Sequence, residues 1–361
     1  MHPPAVNAPS RFAAGGRGGA GARDLVRVTE RHPCPVCGKG KKCRVDLARR
    51  LVQCDRESKD ALYSLPEGRG LGPTWVHALD GATVQRFERA APPNITADHA
   101  GPEDLDRAYR ALLARLRLDA GDRAALLARG LSAEQVNANG YRTHPPGWRE
   151  RAPIARELVT TFGEDLARRV PGIVWCEDRA DSSRGWWSLA GYAGILVPCR
   201  DLAGRIIALK VRRRDPVPED EARYTFVTSS NHRGPKALME AHVPAVALAL
   251  RGKVEPLVLT EGELKADVST ALSGLPVVSI PGVGKWQLGA ELARQWGART
   301  VAVALDADAH RKEDVARAQG ALLAALRAEG LDARLWQWPE EQGKGLDDLL
   351  LRARDRAAGP R

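Results

Sequence analysis

After residue 250 the chain alternates short, β-rich apolar runs with stretches of helical periodicity, and this alternation constrains its fold more than any other feature. The pattern predicts strands over 257–260, 276–280, 300–306 and 331–337, and helices over 264–273, 287–296, 311–328 and 346–355. Strands separated by helices build right-handed crossovers and therefore a parallel sheet. Ligands of such sheets gather at the carboxyl ends of the strands. Two of those ends are acidic. Leu257-Val258-Leu259-Thr260 runs into Glu261-Gly262-Glu263, and Val301-Ala302-Val303-Ala304-Leu305 runs into Asp306-Ala307-Asp308. Asp306 and Asp308 both face the mouth if Ala307 points away. Oxygen-only ligands in such a place suit Mg²⁺ or Mn²⁺, hard cations that keep waters and take phosphate oxygens as further ligands. A third acidic element, Lys344-Gly345-Leu346-Asp347-Asp348, opens the last helix, where carboxylates favour the positive helix end. Each element alone is common; three at matching places in one α/β unit point to a site.

The other concentrated signal is near the amino terminus. In His32-Pro33-Cys34-Pro35-Val36-Cys37-Gly38, Cys34 and Cys37 have two residues between them, so both thiolates can reach one ion. Cys43 follows after five residues and Cys54 after ten more, on segments that read as short ribbon strands. Four thiolates close a tetrahedral Zn²⁺ site with no open position, which makes the site structural. Lys39, Lys41, Lys42, Arg44, Arg49 and Arg50 crowd the same module, and Lys41 and Lys42 are candidates for holding a nucleic-acid backbone.

The full chain of 361 residues has room for several units. Residues 1–28, rich in Pro, Gly, Ala and Arg, read as a disordered tail; 29–64 as the zinc ribbon; 65–100 as a linker; 101–170 as helical; 171–250 as mixed α+β; and 251–361 as the α/β unit. Lys and Arg number 55 against 45 Asp and Glu, a net charge of +10, which favours a polyanionic partner. No stretch approaches a membrane span and the amino terminus lacks an apolar leader core, so no membrane association and a cytoplasmic location are expected. In that setting six cysteines are thiols or metal ligands rather than disulfides. In the middle segment, strands are expected over 186–189, 194–199, 205–212 and 224–228. On the strand over 205–212, alternation puts Lys210 and Arg212 on one face and Arg205 on the other, with Arg223 just downstream; these are candidate contacts to phosphates. Gly282-Val283-Gly284-Lys285-Trp286 has the look of a phosphate loop, but the earlier glycine falls on Ser279 and Trp286 stands where Ser or Thr is required.

These motifs carry a resemblance. Residues 251–361 resemble the Toprim domain of bacterial primases, topoisomerases and certain nucleases, whose signature is a glutamate after the first strand and an Asp-x-Asp after a later one. The resemblance implies that Glu261 takes the general acid/base position, that Asp306 and Asp308 hold the magnesium or manganese ion, and that Asp347 or Asp348 lies beside it. The order of zinc ribbon, α+β segment with a Gly-Arg-Ile-Ile strand, and Toprim unit is similar to replicative primases. The wording Thr-Glu-Gly-Glu-Leu-Lys-Ala-Asp and Lys-Gly-Leu-Asp-Asp-Leu-Leu is similar to Toprim proteins of phages and mobile elements. What this implies is metal-dependent primer synthesis on single-stranded DNA from nucleoside triphosphates, with a separate replicative helicase as partner. The alternatives are a Toprim nuclease using the same carboxylates, and a non-catalytic single-stranded DNA-binding accessory protein. One departure bears on this choice. Replicative primases carry Asp four residues after the glutamate, where this chain has Lys265, a candidate nucleotide contact.

Overall fold

The computed structural model describes residues 25–28, 32–40, 43–46, 50–65, 74–83, 98–178, 184–218, 221–311 and 313–357. Lys41, Lys42 and Arg49, and the first 24 residues of the expected tail, lie outside the described residues. The chain divides into two units, Met1–Asn94 and Ile95–Arg361.

The first unit is an antiparallel sheet of five short strands, β1 (Leu25–Arg27), β2 (Arg44–Asp46), β3 (Leu51–Cys54), β4 (Tyr63–Leu65) and β5 (Thr74–Ala78), in the order β1-β2-β3-β5-β4. β1 lies in the stretch read as a tail, and β5 in the stretch read as a linker, where it pairs along β3. Strand alternation turns Val52 and Cys54 inward, onto Val28, Val45, Cys34 and Cys43. A core this small buries too little apolar surface to hold a fold by itself.

The second unit begins with helices α1 (Pro102–Ala114), α2 (Ala120–Ala128) and α3 (Ala133–Asn139). α1 buries Leu105, Ala108, Tyr109, Leu112 and Leu113, one face at helical spacing. Ser132 and Gln135 cap the start of α3 reciprocally. Strand β6 (Arg142–His144) and helices α4 (Trp148–Phe162) and α5 (Glu164–Arg169) follow. Pro153 lies inside α4, where one missing N–H does not outweigh the buried face of Ala152, Ala155 and Leu158. Strands β7 (Ile173–Glu177) and β8 (Gly185–Leu189) form a hairpin, and β9 (Gly194–Arg200), β10 (Ile206–Arg213) and β11 (Tyr224–Phe226) join β6 in an antiparallel sheet ordered β11-β10-β9-β6. Every residue of β9 is buried, as befits an inner strand.

Helix α6 (Ala245–Leu250) leads into the α/β unit: β12 (Leu257–Glu261), α7 (Glu263–Ser273), β13 (Val277–Ile280), α8 (Trp286–Trp296), β14 (Thr300–Val303), α9 (Glu313–Ala328), β15 (Asp332–Leu335) and α10 (Leu346–Ala357). The four strands are parallel and ordered β13-β12-β14-β15. β14 ends earlier than its apolar run suggests. The Ala304 N–H still reaches the Leu259 carbonyl at 2.8 Å, after which the chain leaves the ladder for a 3-10 turn over Ala307–Arg311. From β12 the chain passes to one side, to β13, then returns across β12 to β14. The order therefore reverses between β12 and β14, which opens a crevice at their carboxyl ends. No helix of the described residues is long and apolar enough to cross a membrane.

Candidate functional site

In the first unit, Cys34 and Cys37 flank a tight turn in which the Gly38 N–H donates to the Cys34 carbonyl and the Cys34 N–H to the Lys39 carbonyl, both at 2.9 Å. Gly38 takes a φ of 67°, which glycine adopts without strain. Cys43 enters β2 and Cys54 ends β3, so the ladder sets the second thiol pair opposite the first. The four Sγ atoms lie within 4.8 Å of one another, with Cys37 to Cys43 at 3.7 Å and Cys43 to Cys54 at 3.8 Å. A tetrahedron of sulfurs about 2.3 Å from zinc has edges of about 3.8 Å, so the cluster fits Zn²⁺. Burial pushes the Cys34 thiol up to about 11 and Cys43 further still. At Cys37 burial is outweighed by the Lys39 N–H and the neighbouring thiols, and the pKa falls to about 7. The group therefore holds its protons unevenly until a cation draws them off.

In the second unit, the crevice at β12 and β14 opens into a cavity of about 450 Å³. Glu261 ends β12, and Gly262 turns the chain into α7 at φ 96°. Burial raises the Glu261 carboxyl above its ordinary value, Lys265 opposes this, and the Asp306 carboxylate adds to it. Lys265, one turn into α7, places its ammonium directly on Asp306. Gly345 makes room for it: a Cβ there would lie 2.9 Å from Lys265 Cε and 2.5 Å from Asp347 Oδ1. Asp308 lies beyond, on the 3-10 turn, with Oδ2 3.7 Å from Lys344 Nζ. Asp347 and Asp348 border the cavity from the start of α10; Asp347 is buried and paired with Arg129, and Asp348 accepts the Gly345 N–H at 3.3 Å. Among the described residues, Glu261, Asp306 and Asp308 do not form a set of oxygens within 4.8 Å of one another. The donors suit Mg²⁺ or Mn²⁺, and a cation that arrives with substrate phosphates needs only one or two carboxylates. As arranged, Lys265 supplies the positive charge on Asp306.

The cavity's other wall is β10 and β11. Lys210 and Arg212, on one face of β10, both border it, and Arg223 and Tyr224 stand beside them. Lys210 Nζ donates to both oxygens of Glu263, at 2.8 and 2.6 Å. Arg223 pairs with Asp215 at 3.0 Å. The Arg212 side chain makes no hydrogen bond or ion pair among the described residues, and its Nε is buried without a partner. An uncommitted guanidinium in such a place is a fork for a phosphate. Arg205 does not line the cavity: it precedes β10 and pairs with Asp201 and Glu103. Asp267 also turns away. Its carboxylate is buried, accepting from the Tyr141 hydroxyl and from His242 Nε2 at 3.2 Å. The Arg200 N–H donates to His242 Nδ1 at 3.0 Å, which leaves the proton of the neutral ring on Nε2. Arg129 and Glu263 border the cavity without having been singled out from the sequence. Glu263 was visible as the second acid of Glu-Gly-Glu, whereas nothing local marks Arg129.

A family described as Domain of unknown function (DUF3854) matches residues 249–357, the α/β unit. A comparison with curated proteins finds no match. Among solved structures, the chain is similar to the RNA polymerase domain of Mycobacterium tuberculosis primase DnaG, at 18% identity and a TM-score of 0.52 over 71% of this chain and 82% of that one. The same domain in complex with double-stranded DNA gives 18% identity and a TM-score of 0.51, over 71% and 80%. Two-domain Aquifex aeolicus primase, with zinc-binding and RNA polymerase domains, gives 12% identity and a TM-score of 0.49, over 92% and 78%. Over 71% of its length the chain thus shares the fold of a primase RNA polymerase domain, and its first unit carries a four-cysteine cluster that can bind zinc.

Proposed function

We propose that this chain is a primase-like nucleotidyltransferase, a Toprim-type enzyme that makes short primers on single-stranded DNA in the replication of a phage or mobile element. Nucleoside triphosphates are its substrates and a separate replicative helicase its partner. The observation that carries the reading is the crevice at the strand-order reversal, where Glu261 and Asp306 face the uncommitted Arg212 across one cavity. Carboxylates opposite a phosphate-binding guanidinium are what phosphoryl transfer requires. Arg212 and Lys210 grip the triphosphate. Lys265 exchanges Asp306 for a phosphate oxygen, a movement that its flexible four-carbon stem allows. Asp306 and Asp308, freed of their lysines, would hold Mg²⁺ or Mn²⁺, which would supply charge neutralisation of the phosphoryl group. Glu261, its proton affinity raised by burial, accepts the proton of the attacking 3′-hydroxyl. The zinc ribbon and its basic residues hold the template strand.

One observation favours a binding-only protein: the Lys265 ammonium already neutralises Asp306. Nucleotide incorporation on a single-stranded template with Mg²⁺ or Mn²⁺ decides between the two readings. Wild type should extend, and Asp306→Ala should lose on the order of a thousandfold in rate at unchanged thermal stability. Full incorporation by Asp306→Ala ends the reading; template cleavage in place of extension assigns the site to a nuclease.

A further inference from the structure

A second cavity, of about 380 Å³, adjoins the first, and Asp306 borders both. The two differ in character. The first has six lysine and arginine side chains on its walls, whereas the second is walled by Trp336, Trp338 and Pro339 with Gln319 and Gln337, and no lysine or arginine lines it among the described residues. Trp336 follows β15, lines the cavity and is 36% exposed. Trp338 is fixed, its Nε1–H donating to the Gly343 carbonyl at 2.7 Å. Gln319, from α9, is only 7% exposed, yet its amide makes no hydrogen bond to the described residues. With no partner in the described fold and its residue on the cavity wall, the amide is open to water or to a ligand.

We propose that this second cavity receives a nucleobase, that of the nucleotide whose phosphates occupy the basic cavity. The proposal rests on the reading of the basic cavity as a triphosphate site. The indole of Trp336 offers a flat surface on which any base can stack. The Gln319 amide offers one acceptor and a pair of donors, the combination that the edge of a base presents. A phosphate would find no cation here, so the chemistry favours the uncharged ring. Because Asp306 borders both cavities, a single nucleotide can lie across it, base on one side and phosphates on the other.

The test is calorimetric titration of the full-length protein with ATP, with tripolyphosphate and with adenosine, for wild type, Trp336→Ala and Gln319→Leu. Gln319→Leu keeps the buried volume and removes only the polar atoms. ATP should bind wild type about tenfold or more tightly than tripolyphosphate, and both variants should lose that advantage while binding tripolyphosphate as wild type does. Equal binding of ATP and tripolyphosphate by wild type, or an ATP advantage that survives in both variants, overturns the proposal. Adenosine separates the two readings. Adenosine binding that disappears in Gln319→Leu upholds the base site even where tripolyphosphate fails to bind and the phosphate reading falls.

Discussion

Lys210 and Glu263 offer the sharpest test of how the basic cavity is held together. The ammonium lies 2.6 and 2.8 Å from the two carboxylate oxygens, with side chains 10% and 2% exposed, so neither charge retains its water. The Phe226 ring stands 4.6 Å from Nζ. The pair joins the antiparallel sheet, through β10, to the first turn of α7 in the parallel unit. Removing one partner strands the other as an uncompensated buried charge, which costs about 3–5 kcal/mol. That is a large fraction of the roughly 5–15 kcal/mol that holds a domain folded. Glu263→Leu should therefore lower the urea midpoint of the second unit steeply. Lys210→Met combined with Glu263→Leu should recover most of the loss, since an apolar pair of similar volume no longer requires desolvated charge. Triphosphate binding should still be weak in the double variant, because Lys210 also faces the cavity. Urea unfolding followed by circular dichroism and by tryptophan fluorescence reads the stability, and calorimetry reads the ligand. A loss of less than about 1 kcal/mol in Glu263→Leu would show that the pair is solvated. A double variant as unstable as the single would show that packing, not charge, is at stake.

The cysteine cluster predicts one tightly bound Zn²⁺ per chain by elemental analysis, lost in Cys37→Ser/Cys54→Ser. Chelation should unfold the first unit, whose core is small, and leave the melting of the second unchanged; a common shift of both transitions would contradict this. Glu261 predicts a pH dependence in metal-free buffer. Its folded pKa lies above the ordinary 4.5, so the folded state binds the proton more tightly than the unfolded chain, and stability falls as pH rises from about 4.5 through the folded pKa. Glu261→Gln should accordingly be more stable than wild type at neutral pH, with the difference vanishing below pH 4.5; an unchanged difference across that range would refute the burial argument.

Much of this protein was legible before any coordinates. The α/β alternation after residue 250 is written in periodicities of two and 3.6, which are local, and so β12 to α10 appear close to where the sequence puts them. Cysteine spacing is equally local, and Cys34, Cys37, Cys43 and Cys54 converge as expected. The face of β10 that presents Lys210 and Arg212 follows from alternation alone. What the sequence by itself did not determine is which charge meets which. Lys265 meets Asp306 across 41 positions, Lys210 meets Glu263 across 53, and Arg129 meets Asp347 across 218. Those pairings depend on strand order and on how sheets and helices stack, and no periodicity encodes them. Strand order placed β12 beside β14 and so brought Glu261 and Asp306 to one crevice; packing turned Asp267 inward onto Tyr141 and His242 and sent Arg205 to Asp201 and Glu103. The residue types are set by sequence, but whether a carboxylate is a ligand, a partner of a lysine or part of a buried network is decided by what the tertiary fold places within about 3 Å of it.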